Sequence, residues 1–358
     1  MKTVFRYVVI VILAIATSLI LTLPLLPTTT AGSLFFLPYG AIPLFFFTLL
    51  ALLLMWKHKK ERCALLCILL SSLIYLHLYL PDVFSSFYTL EERQKPGTLT
   101  IVSWNADNFQ LNEDTLHEAT TMIQSLHPDI ICLQERPHTS LLNTDKIKKM
   151  FAGYPYMVTN NREDEVLNVI VFSRYPLTRP RPHYFEGTFN KYLSVDVLLP
   201  DSISPRMPRL RLYDIHLQTT GLSDTKHVDK KNVKDHLFSP FRSNSILRNQ
   251  QADIITKDIA QSPYPVMVCG DFNDIRTSYA YRTIAHRLKD TYQGVSGSYI
   301  YHTATISRRL SEITHCRAIP VKIDHILVSS PLQPTYYIQP SYLSGDHRMQ
   351  CAVIKLPR

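Results

Sequence analysis

The sequence predicts an α/β protein in two parts: three transmembrane helices, followed by a layered α/β sandwich of two packed β-sheets flanked by helices. Two uncharged stretches predict the first part, because no Asp, Glu, Lys or Arg occurs from Tyr7 to Trp56 or from Cys63 to Pro81. Residues 98–358 predict the second part, because many short strand-like segments alternate there with a few long helical ones.

The uncharged stretches are too apolar for a water-exposed surface, and they have the length of membrane-spanning helices. We predict helices at roughly 5–25, 34–56 and 62–80, each near the ~20 residues that cross a bilayer. The membrane region therefore covers residues 1–81. A polar linker covers 82–97 and connects it to the sandwich domain.

The basic residues predict the topology of the membrane region. Lys2, Arg6 and the run from Lys57 to Arg62 flank the predicted helices, and positive flanks favour the cytoplasmic side. Three spans then place everything after residue 80 outside the cytoplasm, as a multi-pass protein of the cell (inner) membrane. If the first helix is instead a cleaved signal peptide, the remaining two spans deliver the domain to the same side.

Charge and cysteine usage narrow the function classes only slightly. The formal net charge is +9, but six basic residues and a single acidic one lie within residues 1–62, beside the membrane segments. The rest of the chain is mildly basic, which suits a phosphate-bearing substrate without requiring nucleic acid. The six cysteines show no zinc-finger spacing, so a zinc site of that kind is not predicted.

The sandwich domain is assigned element by element from its apolar runs. Predicted strands are Leu99–Trp104, Ile130–Leu133, Val166–Phe172, Leu193–Leu198, Leu210–His216, Val266–Cys269, His325–Val328 and Gln350–Ile354. Predicted helices lie at about 114–126, 244–260 and 278–287.

Polar side chains gather at the ends of these strands. Taken singly, an Asp or Asn there is more often a turn former or a helix cap. Together, the set is rich in the hard oxygen ligands that suit Mg²⁺ or Mn²⁺ rather than zinc. Its members are Asn105, Asp107, Glu135, His216, Asp271, Asn273, Asp324, Asp346 and His347.

The motifs that carry these residues resemble those of the endonuclease/exonuclease/phosphatase family, the deoxyribonuclease-like superfamily, and the membrane part resembles its bacterial membrane-anchored members. The resemblance covers essentially all of residues 98–358 and implies a catalytic domain that hydrolyses phosphoric esters with Mg²⁺, or alternatively Mn²⁺. The motifs are SWNADNF at 103–109, DIICLQE at 129–135, YDIHLQ at 213–218, GDFND at 270–274, KIDHILVS at 322–329 and SGDH at 344–347.

The resemblance also implies a set of metal-binding residues. Glu135 takes the position of the principal metal ligand. Asn105 and Asp107 would lie beside the metal, as ligands or as groups that orient a ligand. Asp346 would contribute to the coordination of metal or water.

A second set of residues is implied to act on the phosphate. Asp271 and Asn273 would contact the scissile phosphate and position or activate the attacking water. His216 would donate to a phosphate oxygen and help to protonate the leaving oxygen. His347 would lie at the scissile phosphate with Asp324 on its other ring nitrogen, because an Asp behind a His sets its tautomer.

Two further residues have structural interpretations. The family pattern Arg-Ile-Asp-Tyr is replaced here by Lys322-Ile323-Asp324-His325, and His325 should lie on the opposite face of its strand from Asp324. Arg248 lies on a predicted helix, where we expect it to pair locally.

These observations leave three hypotheses for function. The leading one is a membrane-anchored, extracytoplasmic, divalent-metal-dependent phosphoesterase that cleaves a phosphodiester or phosphomonoester by attack of water. The anchor suggests a lipid-linked substrate. The alternative is an extracytoplasmic nuclease acting on DNA or RNA, and the third is an inactive binding module. The oligomeric state is left open.

Overall fold

The structure is a computed structural model, and it describes residues 2–76, 94–106, 113–136, 144–160, 168–220, 238–294, 304–305, 320–340 and 347–357.

The N-terminal region is helical. Its helices are α1 (Lys2–Thr22), α2 (Thr28–Ser33), α3 (Ala41–Leu54) and α4 (Lys59–Leu76). Helices α1, α3 and α4 pack together through an apolar core that includes Ile10, Leu13, Leu52 and Leu65. Large apolar side chains also cover the outside of this bundle, among them Phe5, Ile12, Phe46, Leu53 and Leu70.

The prediction of three membrane-spanning helices is not confirmed. Within the described residues, one helix is long and apolar enough to cross a membrane, over Thr3–Leu25. The predicted second helix is interrupted by a 3₁₀ turn at Pro38–Gly40 and continues as α3 for 14 residues, an apolar helix shorter than the ~20 residues a bilayer requires. Helix α4 begins with a charged turn that shortens its apolar part, and the end of the predicted third helix lies outside the described residues.

Two six-stranded sheets form the C-terminal domain, which confirms the predicted α/β sandwich. The strands of the first sheet are β1 (Thr98–Asn105), β2 (Ile130–Arg136), β3 (Tyr156–Thr159), β4 (Asn168–Ser173), β13 (Gln333–Ile338) and β14 (Gln350–Lys355). The strands of the second are β5 (Leu177–Tyr184), β6 (Lys191–Leu198), β7 (Arg209–His216), β8 (Val266–Asp271), β9 (Leu288–Asp290) and β12 (Asp324–Ser329). The first sheet has the order β13-β14-β1-β2-β4-β3, and the second has the order β5-β6-β7-β8-β12-β9. A small separate pair consists of β10 (Ala304–Thr305) and β11 (Pro320–Val321).

The core lies between the two sheets. Alternate residues of each strand point to opposite faces, so one set fills the space between the sheets and the other faces the helices. Ile101 and Ile130 from the first sheet meet Val195, Leu212 and Ile326 from the second. Because both faces are covered, the central strands are apolar almost throughout, which is why sequence patterning found them.

Helices cover the outer face of each sheet. Helices α5 (Glu113–Ser125) and α6 (Thr144–Met150) pack on the first sheet, and α7 (Ser239–Ala260) and α8 (Tyr279–Ile284) pack on the second. A short helix α9 (Thr291–Gly294) follows β9. Helix α7 starts five residues before the predicted position of 244, with a proline in its first turn, a position that proline favours.

Strand β5 is not among the predicted strands, because its sequence lacks apolar alternation. Its sequence, LTRPRPHY, carries two prolines and is largely exposed at the edge of its sheet. Proline is tolerated on an edge strand because its missing N–H is not needed there. The apolar alternation that reveals a half-buried strand is therefore absent.

Gly270, the glycine of the GDFND motif, sits where no side chain fits. Its φ is +129°, and a Cβ built there would lie 2.0 Å from the carbonyl oxygen of Ile215 on the neighbouring strand. We expect Gly270→Ala to destabilise the fold by roughly 3 kcal/mol or more, since it combines overpacking with a backbone conformation that L-residues avoid. Gly153→Ala is the matched control, because a Cβ at Gly153 meets nothing within 4 Å.

Chemical denaturation of the full chain, followed by near-ultraviolet circular dichroism, measures both variants. Equal midpoints for the two variants would contradict the close approach at Gly270.

Candidate active site

Polar residues from both sheets meet at one edge of the sandwich. In the first sheet, β1 and β2 run parallel and end together, with Asn105 paired to Gln134. In the second, β7 and β8 run parallel with His216 paired to Asp271, and β12 runs antiparallel to β8 with Asp324 paired to the same Asp271. The register therefore brings His216, Asp271 and Asp324 together at one end of the second sheet.

Glu135 is aimed into this edge by an irregularity in β2. The pairing of β2 with β4 shifts register between Leu133 and Arg136, and Glu135 has a φ of +52°. A glutamate rarely adopts this left-handed conformation, and such outliers concentrate at functional sites. The bulge turns the carboxylate towards the second sheet, although Glu135 belongs to the first.

Asn105 joins the carboxylates of the two sheets. Its amide Nδ2 donates to Glu135 Oε1 at 3.0 Å and to Asp271 Oδ2 at 3.0 Å. Asn105 is almost fully buried, and its amide holds the two carboxylates in one hydrogen-bonded group.

Asn273 closes a tight turn after β8. Its backbone N–H donates to Asp271 Oδ1 at 2.7 Å, and its side-chain Nδ2 donates to Asp271 Oδ2 at 3.1 Å and to the carbonyl of Leu217 at 2.9 Å. Asn273 also has a left-handed φ, of +50°. The turn therefore holds Asp271 and Asn273 in a fixed relation to each other.

Two histidines face the same carboxylates. His216 Nε2 lies 3.3 Å from Glu135 Oε1 and 3.9 Å from Asp271 Oδ2. His347 Nε2 lies 3.7 Å from Asp271 Oδ2, while its Nδ1 is 2.9 Å from Asp324 Oδ2. Asp324 thus accepts a hydrogen bond from Nδ1 of His347 and leaves Nε2 directed at the site. A proton on Nδ1 leaves Nε2 unprotonated, which is the tautomer that a general base needs.

The donor set fits a hard divalent cation. Ligand atoms of Glu135, His216 and Asp271 all lie within 4.8 Å of one another, and so do those of Asp271, Asp324 and His347. Carboxylate oxygens dominate both groups, which suits Mg²⁺ or Mn²⁺. The remaining predicted ligands, Asp107 and Asp346, lie outside the described residues.

The carboxylates of the site differ in pKa. Burial opposes ionisation of Glu135, but the hydrogen bond and charge of His216 and the donation from Asn105 prevail and lower the pKa of Glu135 to about 2. Burial and the facing Asp324 raise the pKa of Asp271 to about 6, against the attraction of His347 and His216. Burial alone would lower the pKa of His216, yet Glu135 and Asp271 raise it.

Arg248 is a functional support that sequence reasoning missed. It was expected to pair locally, but its guanidinium is buried and reaches out of its helix, donating from Nε to Asp274 Oδ2 at 2.9 Å and from Nη1 to the carbonyl of Gln218 at 2.8 Å. It thereby ties α7 to the turn after Asn273. The available signal was its position on the apolar stripe of the helix, in line with Phe241 and Ala252.

His325 has the structural role that was predicted. Its buried ring packs against Phe272 and Tyr281, and its Nδ1 lies 3.2 Å from Asp290. Burial lowers the pKa of His325 to about 4, despite this hydrogen bond, so the ring is neutral at physiological pH. The neighbouring Lys322 donates from Nζ to the carbonyl of Asp324 at 2.9 Å and so fills the place of the arginine in the family pattern.

The pKa values predict how metal binding responds to pH. A divalent cation binds the ionised carboxylate, so the proton on Asp271 competes with it below the pKa of about 6. We expect Mn²⁺ affinity to fall by about tenfold per pH unit below pH 6 and to level off above pH 7. Glu135, with its low pKa, adds nothing to this dependence above pH 4.

Electron paramagnetic resonance titration with Mn²⁺ from pH 5 to pH 8 measures this affinity. Affinity that stays constant across the range would contradict the raised pKa of Asp271. An Asp271→Asn variant should bind more weakly and lose the steep part of the profile.

Comparisons with known proteins identify the family and the fold. A sequence model described as the Endonuclease/Exonuclease/phosphatase family matches residues 102–347. No match to a curated protein was found.

Solved structures share the fold at low sequence identity. A mannosyl-6-phosphatase of Bacteroides thetaiotaomicron is 14% identical with a TM-score of 0.52, and the match covers 72% of this chain and 99% of that one. TDP2 of D. rerio, complexed with single strand DNA product, is 18% identical with a TM-score of 0.51, over 72% and 98%. A Bacteroides vulgatus protein described as an endonuclease/exonuclease/phosphatase is 17% identical with a TM-score of 0.51, over 73% and 99%.

Sequence identities this low show a shared fold only. The family model, in contrast, matches more than half of the chain and shows the family. The chain belongs to the endonuclease/exonuclease/phosphatase family.

Proposed function

We propose that this chain is a membrane-anchored, divalent-metal-dependent hydrolase of phosphoric esters. The observation that carries the proposal is the meeting of Glu135 and His216 with Asp271 and His347 across the two sheets, with ligand atoms close enough to hold a metal ion. Glu135 and Asp271 would hold the metal, oriented by Asn105. The metal, Mg²⁺ or Mn²⁺, would neutralise charge on the phosphate.

The residues of the chain supply the rest of the chemistry. His347 is the base beside the reaction centre and is tied in place by Asp324, while Asp271, which is tied in place by Asn273, would hold the metal and position the attacking water. A base with a pKa near neutrality is efficient at holding or accepting the proton of an attacking water. His216, whose pKa is raised, would donate to a phosphate oxygen and help to protonate the leaving oxygen.

Asp107 and Asp346 complete the proposal by resemblance. Asp107 would lie beside the metal, and Asp346 would help to coordinate metal or water, next to His347 in the chain.

The class of ester stays open between two candidates. The structural neighbours include a mannosyl-6-phosphatase and a protein complexed with single strand DNA product, so the fold serves both monoesters and nucleic acid. A phosphodiester or phosphomonoester hydrolase is favoured here, because +5 of the net charge of +9 lies within residues 1–62 and the rest of the chain is only mildly basic. A nuclease acting on DNA or RNA is the second candidate.

Three features of the helical bundle support the proposed anchoring. Its outer surface carries exposed apolar side chains such as Phe5 and Leu53. Its charged end gathers Arg6 against Glu61 at 3.3 Å, and Lys57–Arg62 lies at this end. The opposite end of the bundle leads to the catalytic domain. We therefore propose a multi-pass anchor in the cell membrane, with the charged end cytoplasmic and the site extracytoplasmic.

The first test is a substrate panel on the full chain in detergent. We expect Mg²⁺- or Mn²⁺-dependent hydrolysis that stops with a chelator and returns with metal. Glu135→Ala should remove activity together with metal binding, and His347→Ala should lower kcat by roughly 10²- to 10⁴-fold, because it removes general acid–base help. The panel contains bis-p-nitrophenyl phosphate, plasmid DNA, RNA, sphingomyelin and phosphoinositides.

The matched controls are Glu186→Ala and His286→Ala, both exposed residues of the same domain. Activity that survives Glu135→Ala and His347→Ala would exclude the proposed site. A panel with no hydrolysis of any ester would favour an inactive binding module.

The second test concerns the anchor. We expect the full chain to stay in the membrane fraction after an alkaline carbonate wash, because the apolar surface of the bundle would be buried in lipid. A C-terminal alkaline phosphatase fusion should be active, since that reporter folds only outside the cytoplasm. Release by carbonate would contradict the anchor, and an active cytoplasm-only reporter would reverse the topology.

A further inference from the structure

The chain between the first and second apolar helices does more than connect them. We name residues 20–41 the docking segment, because it lies along α7 and α8 of the catalytic domain. Arg282 on α8 donates from Nη1 to the carbonyl of Ile20 at 2.6 Å. Further along, Thr28 Oγ1 donates to Asp253 Oδ2 on α7 at 2.9 Å. The segment is thus bound to the domain by directional contacts, at points far apart in sequence.

Gly32 sets how closely the docking segment approaches α7. A Cβ at Gly32 would lie 2.4 Å from Ile246 Cγ1 and 2.9 Å from Ile246 Cα. The second of these atoms belongs to the backbone of α7 and cannot rotate away. Any side chain at Gly32 would therefore push the segment off the helix, although alanine would favour the helical conformation of α2 itself.

The far end of the docking segment reaches the loop that follows β8. Thr277 is fully buried, and its Oγ1 donates to the carbonyl of Pro38 at 2.9 Å. Tyr39 OH donates to Asp274 Oδ1 at 3.4 Å, and Asp274 directly follows Asn273. We name residues 271–278 the catalytic loop.

The catalytic loop is consequently held from two sides. Arg248 of α7 binds one carboxylate oxygen of Asp274, and Tyr39 of the docking segment contacts the other. The ring of Tyr39 is itself packed against Phe241 on α7, with centroids 5.7 Å apart. A passive tether would need only length. Through these contacts Tyr39, a residue of the N-terminal region, binds Asp274, which directly follows Asn273 in the chain.

We propose that the docking segment is a positioning element of the active site: by seating Gly32 against Ile246 and contacting Thr277 and Asp274, it holds the catalytic loop in the conformation that presents Asp271 and Asn273. The inference rests on the proposed function, in which these two residues serve metal and phosphate. It predicts that the membrane bundle and the site act as one unit.

The test compares Gly32→Ala with Gly40→Ala in the full chain in detergent. Both place the same methyl group in the docking segment, but a Cβ at Gly40 meets nothing within 4 Å. Hydrogen exchange reports on the loop, whose Phe272 and Ser278 amides are hydrogen-bonded to Ile323 and Ile275. Gly32→Ala should speed exchange there by at least about tenfold and weaken Mn²⁺ binding by about tenfold, the scale seen when groups that orient metal ligands are lost. Gly40→Ala should match the wild type.

Tyr39→Phe is the second variant, and it removes only the hydroxyl contact with Asp274. We expect Mn²⁺ affinity to fall by about threefold to tenfold, the scale of one lost hydrogen bond, with an unchanged number of sites per chain. Partial unfolding would lower the number of sites and leave the affinity of the rest unchanged, so the two effects are separable.

Wild-type exchange and wild-type Mn²⁺ affinity in both Gly32→Ala and Tyr39→Phe would overturn the proposal, as would equal effects of Gly32→Ala and Gly40→Ala. Hydrogen exchange needs no turnover. A wild-type chain without hydrolase activity, whose loop still loosens in Gly32→Ala, would therefore refute the proposed function and leave the positioning intact.

Discussion

The site depends on holding carboxylates together at the edge where the two sheets meet. Asp324 lies directly across from Asp271 on the neighbouring strand, and Glu135 approaches from the other sheet. Burial and the like charge of Asp324 raise the pKa of Asp271, while Asn105 donates a hydrogen bond to it and the two histidines supply positive charge. Carboxylates held this close together are suited to binding a divalent cation, whose charge would offset their repulsion.

The sandwich provides the rigidity that such a cluster needs. Its strands are fixed in register by apolar packing on both faces, and a shift of one residue would turn His216 or Asp324 away from the site. Three departures from regular backbone geometry lie at the site itself. Glu135 and Asn273 adopt left-handed backbone conformations there, and Gly270 permits the close approach of β7. The regular part of the fold supports the strained part.

The N-terminal region enters this arrangement through the docking segment. Arg248 and Tyr39 meet on the two oxygens of Asp274, so a turn that carries Asn273 is bounded by a catalytic-domain helix and by the chain between the apolar helices. In the proposed function, the bundle anchors the domain and also completes the support of its site. An anchor of this kind constrains the orientation of the catalytic domain relative to the membrane, which a flexible linker would leave undefined.

Apolar runs that end in Asn, Glu or Asp were enough to predict the central strands and the sandwich, because strand periodicity and strand ends are local properties of the chain. The candidate site residues at those strand ends were selected together with the family resemblance. The first apolar helix was predictable for the same reason. The tertiary structure decided what depends on distant neighbours. Pro38 divides the second apolar stretch, Arg248 pairs with Asp274 rather than locally, Asn105 points its amide at two carboxylates, and Gly32 is seated on Ile246. The contacts of Arg248, Asn105 and Gly32 each join residues far apart in the chain, and only the packing of sheets and helices brings them together.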